Sequence, residues 1–243
     1  MNINNLGSIN DKNLFKAVFL IGGGGSGKSF INNSIFGGMP ILDINSDTGV
    51  EKYFKKNNIS LIFETDQTTA LAKKQGEARE KIKTGTIGKY YNAINGMLPI
   101  VLDGTGSKFD KIKTNKMLLE SIGYDTYLIF VNTSLEVALK RNSERTRKVP
   151  VNIVTADWHS VQKNVLRYES LFGRSRFYSV DNSKFVTDKA EFQKRMSKIA
   201  NSILDNKIHN KKGKVIVNTL KNYNLKYISD IYNIATIKTT LNI

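Results

Sequence analysis

The stretch "KAVFLIGGGGSGKSFINN", residues 16–33, decides how the rest of the chain is read. An apolar run gives way to four consecutive glycines, and Gly-Lys-Ser then opens a segment of helical pattern. Gly22-Gly23-Gly24-Gly25-Ser26-Gly27-Lys28-Ser29 satisfies G-x-x-x-x-G-K-[ST], in the strand-then-helix setting that gives this motif its meaning. Glycines let successive N–H groups turn inward with no Cβ in the way, and the helix start adds partial positive charge. A cradle of this kind fits phosphate oxygens. Residues Gly22 to Ser29 are therefore expected to bind ATP, with Lys28 at the β- and γ-phosphates and the Ser29 hydroxyl on Mg²⁺. A merely flexible glycine turn would not need Lys-Ser at that spacing.

Outward from the loop, short apolar runs alternate with longer helical patterns. Strands are expected at 17–22, 40–44, 98–103, 124–131 and 176–181, and helices from near Gly27, Asp47, Thr68, Lys108, Leu135, Val154 and Asp188. That order implies right-handed crossovers, and the unbroken apolar character of the strands implies a parallel sheet covered on both faces. The fold class expected is α/β. A polar, basic segment, "NKIHNKKGK" (206–214), suggests a boundary, giving a main domain over 1–205 and a small C-terminal extension over 206–243. The extension is open to a strand and a helix, or to loose docking.

The 243 residues are 40% hydrophobic, enough for a substantial core, and contain no cysteine, which excludes a disulfide scaffold or thiolate zinc site. The first residues, "MNINNLGSINDKN", lack the charged-then-apolar layout of a secretion signal, and no apolar run is long enough to span a bilayer. A cytoplasmic protein with no membrane partner is expected. The net charge of +16 suits a polyanionic partner. Most of the basic residues are lysine, however, 29 of 37, so a solvated lysine-rich surface explains the charge equally well.

"LPIVLDGTG" puts Asp103 at the end of a buried strand, where an acid can organise Mg²⁺. The next residue is Gly104, not a glutamate that would activate water, so the pattern favours transfer to a bound acceptor over hydrolysis. The acceptor needs a base. "ILDINSDTGVEKYF" offers Asp47, which serves equally as base or helix N-cap, and Asp43, which sits within a strand and reads as structural. Only eight arginines occur, and three lie in "ALKRNSERTRKVP": Arg141, Arg145 and Arg147. Arg141 and Arg145, four apart, are expected on one helix face that ends before Pro150, forming a phosphate clamp within a lid over about 140–153. A solvated basic helix end is the plainer account.

Taken together, "AVFLIGGGGSGKS", "INSDT", "IVLDGTG", "VNTSLEVALKRNSERTRKVP" and "VDNS" resemble the phage-encoded P-loop kinases related to zeta toxins and bacteriophage polynucleotide kinase, over roughly residues 14–185. The resemblance implies a P-loop NTPase fold with an adenylate-kinase-like five-stranded parallel sheet between helices. It also implies Asp47 as general base, Arg141, Arg145 and Arg147 as lid arginines, Asp103 as the strand-end acid, and host cytoplasm as the location. Val50 stands where the polynucleotide kinase has a phosphate-gripping arginine, and no phosphatase domain is expected after the kinase-like part.

"DWHSVQKNVLRYESLF" (157–172) reads as an amphipathic helix with Trp158, Val161, Val165 and Leu166 inward. Asn182 and Ser183 are placed near the adenine of ATP, and Tyr90 and Tyr91 either line the acceptor pocket or pack between helices. His159 and His209 have no metal-ligand spacing. The reading is a Mg²⁺- and ATP-dependent kinase whose acceptor is a nucleotide, a nucleotide-sugar or a nucleic-acid 5′-hydroxyl. An ATP-binding regulatory or assembly protein with little turnover is the alternative.

Overall fold

The computed structural model describes residues 13–62, 68–146, 148–184 and 186–225. Five strands, β1 (Lys16–Ile21), β2 (Leu42–Ile44), β3 (Ile100–Gly104), β4 (Asp125–Asn132) and β5 (Phe177–Asp181), form one sheet in the order β2-β3-β1-β4-β5, and every pairing is parallel. The helices are α1 (Lys28–Phe36), α2 (Ser46–Lys56), α3 (Ala70–Asn95), α4 (Phe109–Ser121), α5 (Leu135–Glu144), α6 (Val151–Phe172), α7 (Lys189–Leu204) and α8 (Lys211–Asn222). All five expected strands are present, each within two residues of its expected start.

The alternation of side chains along a strand explains why β1 and β4 carry no polar face. Ala17, Phe19 and Ile21 join Leu128 and Phe130 on one side, packed on Ala93 of α3, Leu119 of α4, Tyr168 and Phe172 of α6, and Val217 and Leu220 of α8. Val18 and Leu20 join Tyr127, Ile129 and Val131 on the other, against Ile31 and Ile35 of α1 and Met196, Ala200 and Ile203 of α7. A satellite cluster of Val50, Phe54, Ile59 and Ala78 holds α2 to α3.

Segment 206–210 is stitched to the N-terminal ends of the strands. Lys16 and Asp125, both fully buried, pair at 3.0 Å. Asp125 also accepts from the main-chain N–H groups of His209 (2.8 Å) and Asn210 (2.9 Å), and Lys16 donates to the Lys207 carbonyl. Burial lowers the pKa of Lys16, while the Asp125 charge and hydrogen bond oppose that shift. Asn210 caps α8 by accepting from Lys212 and Gly213. Gly213 then lies so close to Gly123 that a Cβ on it would sit 2.3 Å from the Gly123 carbonyl oxygen. On α6, Val161 is buried as expected and Trp158 and Val165 are half-buried, but Leu166 is exposed. The inward stripe runs instead through Val154, Val161, Asn164, Tyr168 and Phe172, because the helix begins at Val151 and its last two turns face the core through aromatic rings.

Candidate nucleotide-binding site

The loop between β1 and α1 is held from several sides. The Gly22 N–H donates to the Thr105 carbonyl after β3, and Ser26 N–H donates to Gly23 within the loop. Two glycines are required here. Gly25 has φ +80°, and a Cβ on it would lie 2.2 Å from the Ala138 carbonyl oxygen of α5. Gly27, the N-cap of α1, has φ +84°, and its Cβ would meet the Asn182 amide nitrogen at 2.2 Å. Side chains with a Cβ would thus be strained in conformation and blocked in space. Helix α6 roofs the loop, with Val154 against Gly24 and the Trp158 backbone against Gly23.

No side chain caps α1, and its first turn carries no acid. Its leading N–H groups are therefore left for an external acceptor, with the dipole favouring an anion. Lys28 folds back on the loop and donates to the carbonyls of Gly22 (2.7 Å) and Gly23 (3.3 Å). Its pKa is lowered, first by burial; Arg145 adds to that, and Asp103, Asp47 and Asp157 oppose it. These charges converge on one ammonium.

Asp103 stands beside Leu20 in the sheet register and accepts from the Asn45 amide at 2.7 Å. Burial raises its pKa to about 6; Lys28 opposes the rise, and the charges of Asp43 and Asp47 add to it. Ser29 and Asp103 line a common cleft of about 260 Å³, together with Asp43, Asn45 and Asn32. Asp47 is exposed in the first turn of α2. It is not the N-cap. Asn45 is, accepting from the Asp47 N–H at 2.8 Å.

The arginines part company. Arg141 lies in the last turn of α5, and its Nη1 would be 3.6 Å from a Cβ on Gly27. That nitrogen is buried and makes no hydrogen bond. Arg145 does not share a helix face with it: α5 ends at Glu144, and Arg145 has extended backbone at φ −77°, ψ 148°. The early end follows from Asn142, whose amide donates to the Val149 carbonyl (2.7 Å) and accepts from the Val149 N–H (3.1 Å), clasping the turn. Arg145 is exposed yet still acts electrostatically on Lys28. Arg147 lies outside the described residues.

Asn182 is buried and donates to the Ser26 carbonyl at 2.8 Å, so it braces the loop from behind. Ser183 is taken up locally by Asp181 and the Ser134 N–H. Trp158 is tied through its ring N–H to the Thr133 carbonyl at 2.8 Å. Tyr90 packs against the core, whereas Tyr91 is exposed. Sequence reasoning missed Asn45, Asn142 and Asn32. For Asn45 a signal existed, since an Asn directly before a helical run is a capping residue; Asn32 in the middle of α1 and Asn142 in the last turn of α5 carry none.

Among the described residues, no helix is long and apolar enough to cross a membrane. No protein-family model matches the chain, and no curated protein matches it in sequence. Solved structures do match. One, from the PezAT chromosomal toxin–antitoxin system of Streptococcus pneumoniae, aligns with a TM-score of 0.51 at 15% identity, over 81% of this chain and 88% of that one. The AvrRxo1-ORF1:AvrRxo1-ORF2 complex with sulphate ions aligns with a TM-score of 0.50 at 12% identity, over 75% of this chain and 63% of that one. At such identities the likeness is one of fold. That fold is α/β, a five-stranded parallel sheet in the order β2-β3-β1-β4-β5 between helices, adenylate-kinase-like, with the glycine-rich loop following the central strand.

Proposed function

We propose that this chain is a Mg²⁺- and ATP-dependent phosphotransferase that moves the γ-phosphoryl group of ATP onto a hydroxyl acceptor. One observation carries the reading. The buried Nη1 of Arg141 has no partner and sits against the uncapped N-terminus of α1, where the loop leaves main-chain donors free. A buried guanidinium N–H without an acceptor is costly, and phosphate oxygens would satisfy it together with the helix start.

The residues divide the work. Main-chain groups from Gly22 to Ser29 hold the phosphates, and Lys28 swings from its loop carbonyls to the β,γ-bridge. Asp47 takes the proton from the acceptor hydroxyl as the new O–P bond forms, and ADP leaves carrying the electrons of the broken P–O bond. Arg141 and Arg145, with Arg147 assigned from the sequence, neutralise charge on the moving group. Asn182 positions the loop. The donors fit Mg²⁺: Ser29 and Asp103 supply oxygen from one cleft, and an ion shared with phosphate and water needs few protein ligands. Among the described residues there is no cluster of three or more His, Cys, Asp or Glu able to hold a metal alone. When bound, the ion would offset phosphate charge and fix the phosphates' orientation. Gly104 after Asp103 offers no water-activating carboxylate, which favours transfer over hydrolysis.

The acceptor classes implied by the sequence resemblance are nucleotides, nucleotide-sugars and nucleic-acid 5′-hydroxyls. The test is γ-labelled ATP with Mg²⁺, offered in turn to 5′-hydroxyl oligonucleotides, nucleosides, nucleotide-sugars and buffer. Label on an acceptor is the expected result. Label found only as free phosphate overturns transfer, and tight ATP binding with no turnover establishes a regulatory ATP-binding protein instead.

A further inference from the structure

The cleft beside Ser29 runs away from the loop, between α1 and the β2–α2 connection. Its eleven lining residues include two carboxylates, Asp43 and Asp103, and three asparagines, Asn32, Asn33 and Asn45, with no lysine or arginine among them. This is unusual company in a chain with a net charge of +16. The cation that acts on Asp43, Lys89, is not part of the lining and donates to the Asp43 main-chain carbonyl. Val50, on the following helix, is buried among apolar neighbours and adds no charge.

Two of the lining side chains hold buried acceptor oxygens that receive no hydrogen bond, Asp43 Oδ1 and Asn32 Oδ1. Burial also raises the pKa of Asp43, with Lys89 opposing, as befits a carboxyl short of donors. Unmet acceptors call for donors. A phosphate brings none, and its charge would meet the Asp43 carboxylate in a lining that holds no lysine or arginine. A hydroxyl or amine brings donors and can satisfy both oxygens.

Resting on the phosphotransferase reading, we propose that the cleft lined by Asp43, Asn32 and Asn45 binds the acceptor as a phosphate-free, polyhydroxylated small molecule. Asp43 and Asn32 accept hydrogen bonds from its hydroxyls, and one further hydroxyl is left for transfer near Asp47. Asp43 is thus a positioning and specificity residue rather than a structural one. Acceptors that would place a phosphate in this cleft, nucleotides among them, are selected against.

Matched pairs test this: ribose and ribose 5-phosphate, glucose and glucose 6-phosphate, adenosine and AMP, glycerol and glycerol 3-phosphate. Binding of each is measured by calorimetry on the full chain saturated with Mg–ADP, and transfer from labelled ATP is measured in parallel. The expected result is at least tenfold tighter binding of the phosphate-free member in one or more pairs. Asp43→Asn should weaken that binding about tenfold while ATP affinity holds, and Asn32→Arg should shift preference toward the phosphorylated member. Equal or tighter binding of phosphorylated members overturns the proposal, as does a panel in which nothing binds. ATP titrated into the same protein separates the two readings: if ATP binds but no pair does, only the acceptor inference fails, whereas absence of ATP binding removes the kinase reading itself.

Discussion

The two ends of the central strands hold buried charge in opposite conditions. At the N-terminal end, Asp125 is fully engaged by Lys16, by two main-chain N–H groups and by Arg176 at 3.5 Å. At the C-terminal end, Asp103 draws one hydrogen bond from Asn45, and the buried side-chain atoms without a partner are Ser26 Oγ in the loop, Asn32 Oδ1 on α1, Asp43 Oδ1 in β2, Thr133 Oγ1 after β4 and Arg141 Nη1 on α5. Among the described residues, every such atom belongs to the loop, to a strand end or to a helix beside them. A fold satisfies its buried polar groups wherever it can. The satisfied end therefore serves stability, and the unsatisfied end is prepared for groups the chain itself does not supply.

If that division is right, the largest effects on activity come from the unsatisfied end and leave the fold alone. Lys28→Ala should reduce transfer from labelled ATP by about 10³-fold or more, with an unchanged urea midpoint. Asp47→Asn should do the same to transfer while calorimetry still shows ATP binding. An Asp47→Asn variant near wild-type activity would move the base to another carboxylate, with Asp43 next to be tried.

The satisfied end should show the reverse. Asp125→Asn leaves the Lys16 ammonium buried without its counter-charge, and a loss of about 3–5 kcal/mol in urea unfolding is expected. ATP affinity, measured where the variant is still folded, should hold. Adding Lys16→Met should recover much of the loss, since the cost lies in the unpaired charge. If Asp125→Asn were harmless, the clasp on segment 206–210 would be ornamental.

Most of the sheet was legible in the sequence because a doubly covered parallel strand must be apolar throughout, and the runs from Ala17, Leu98 and Tyr124 have no other good reading. The loop was legible because its geometry demands glycine where φ is positive, as at Gly25 and Gly27. Less legible were features set by long-range partners. Asn182 shows nothing in sequence of its bond to Ser26, 156 residues away. The helical repeat that put Arg141 and Arg145 on one face was interrupted by Asn142 reaching Val149, a tertiary choice that propensity does not encode. Leu166 satisfied an apolar spacing but lost its place inside to Asn164 and Tyr168, which bond to the Ser107 and Gly106 carbonyls.

A smaller effect tests the tension at Asp103 directly. Its pKa is raised to about 6, so the folded chain holds this proton where the unfolded chain has released it. Between about pH 4 and 6 the native state binds more protons, and stability without ligand must fall as pH rises through that window. Asp103→Asn should remove the penalty and stabilise the free protein at pH 8 by about 1–3 kcal/mol, while abolishing transfer. In the wild type, kcat/KM for ATP should decline below about pH 6 as the carboxyl becomes protonated and loses its hold on Mg²⁺. A variant destabilised at pH 8 would place Asp103 with the satisfied groups.

The smallest effect concerns the end of α5. Asn142 spends both ends of its amide on Val149, so Asn142→Ala removes two hydrogen bonds but no charge. A loss of about 1–2 kcal/mol is expected in urea. The more telling reading is kinetic. Arg145 owes its position to the turn that this clasp closes, whereas Arg141 is held by α5 itself. Loosening the turn should therefore lower kcat several-fold through Arg145 and leave ATP affinity close to wild type. An equal fall in ATP affinity would mean that the clasp positions Arg141 and the loop as well, and that the unsatisfied end depends on the Asn142–Val149 contact.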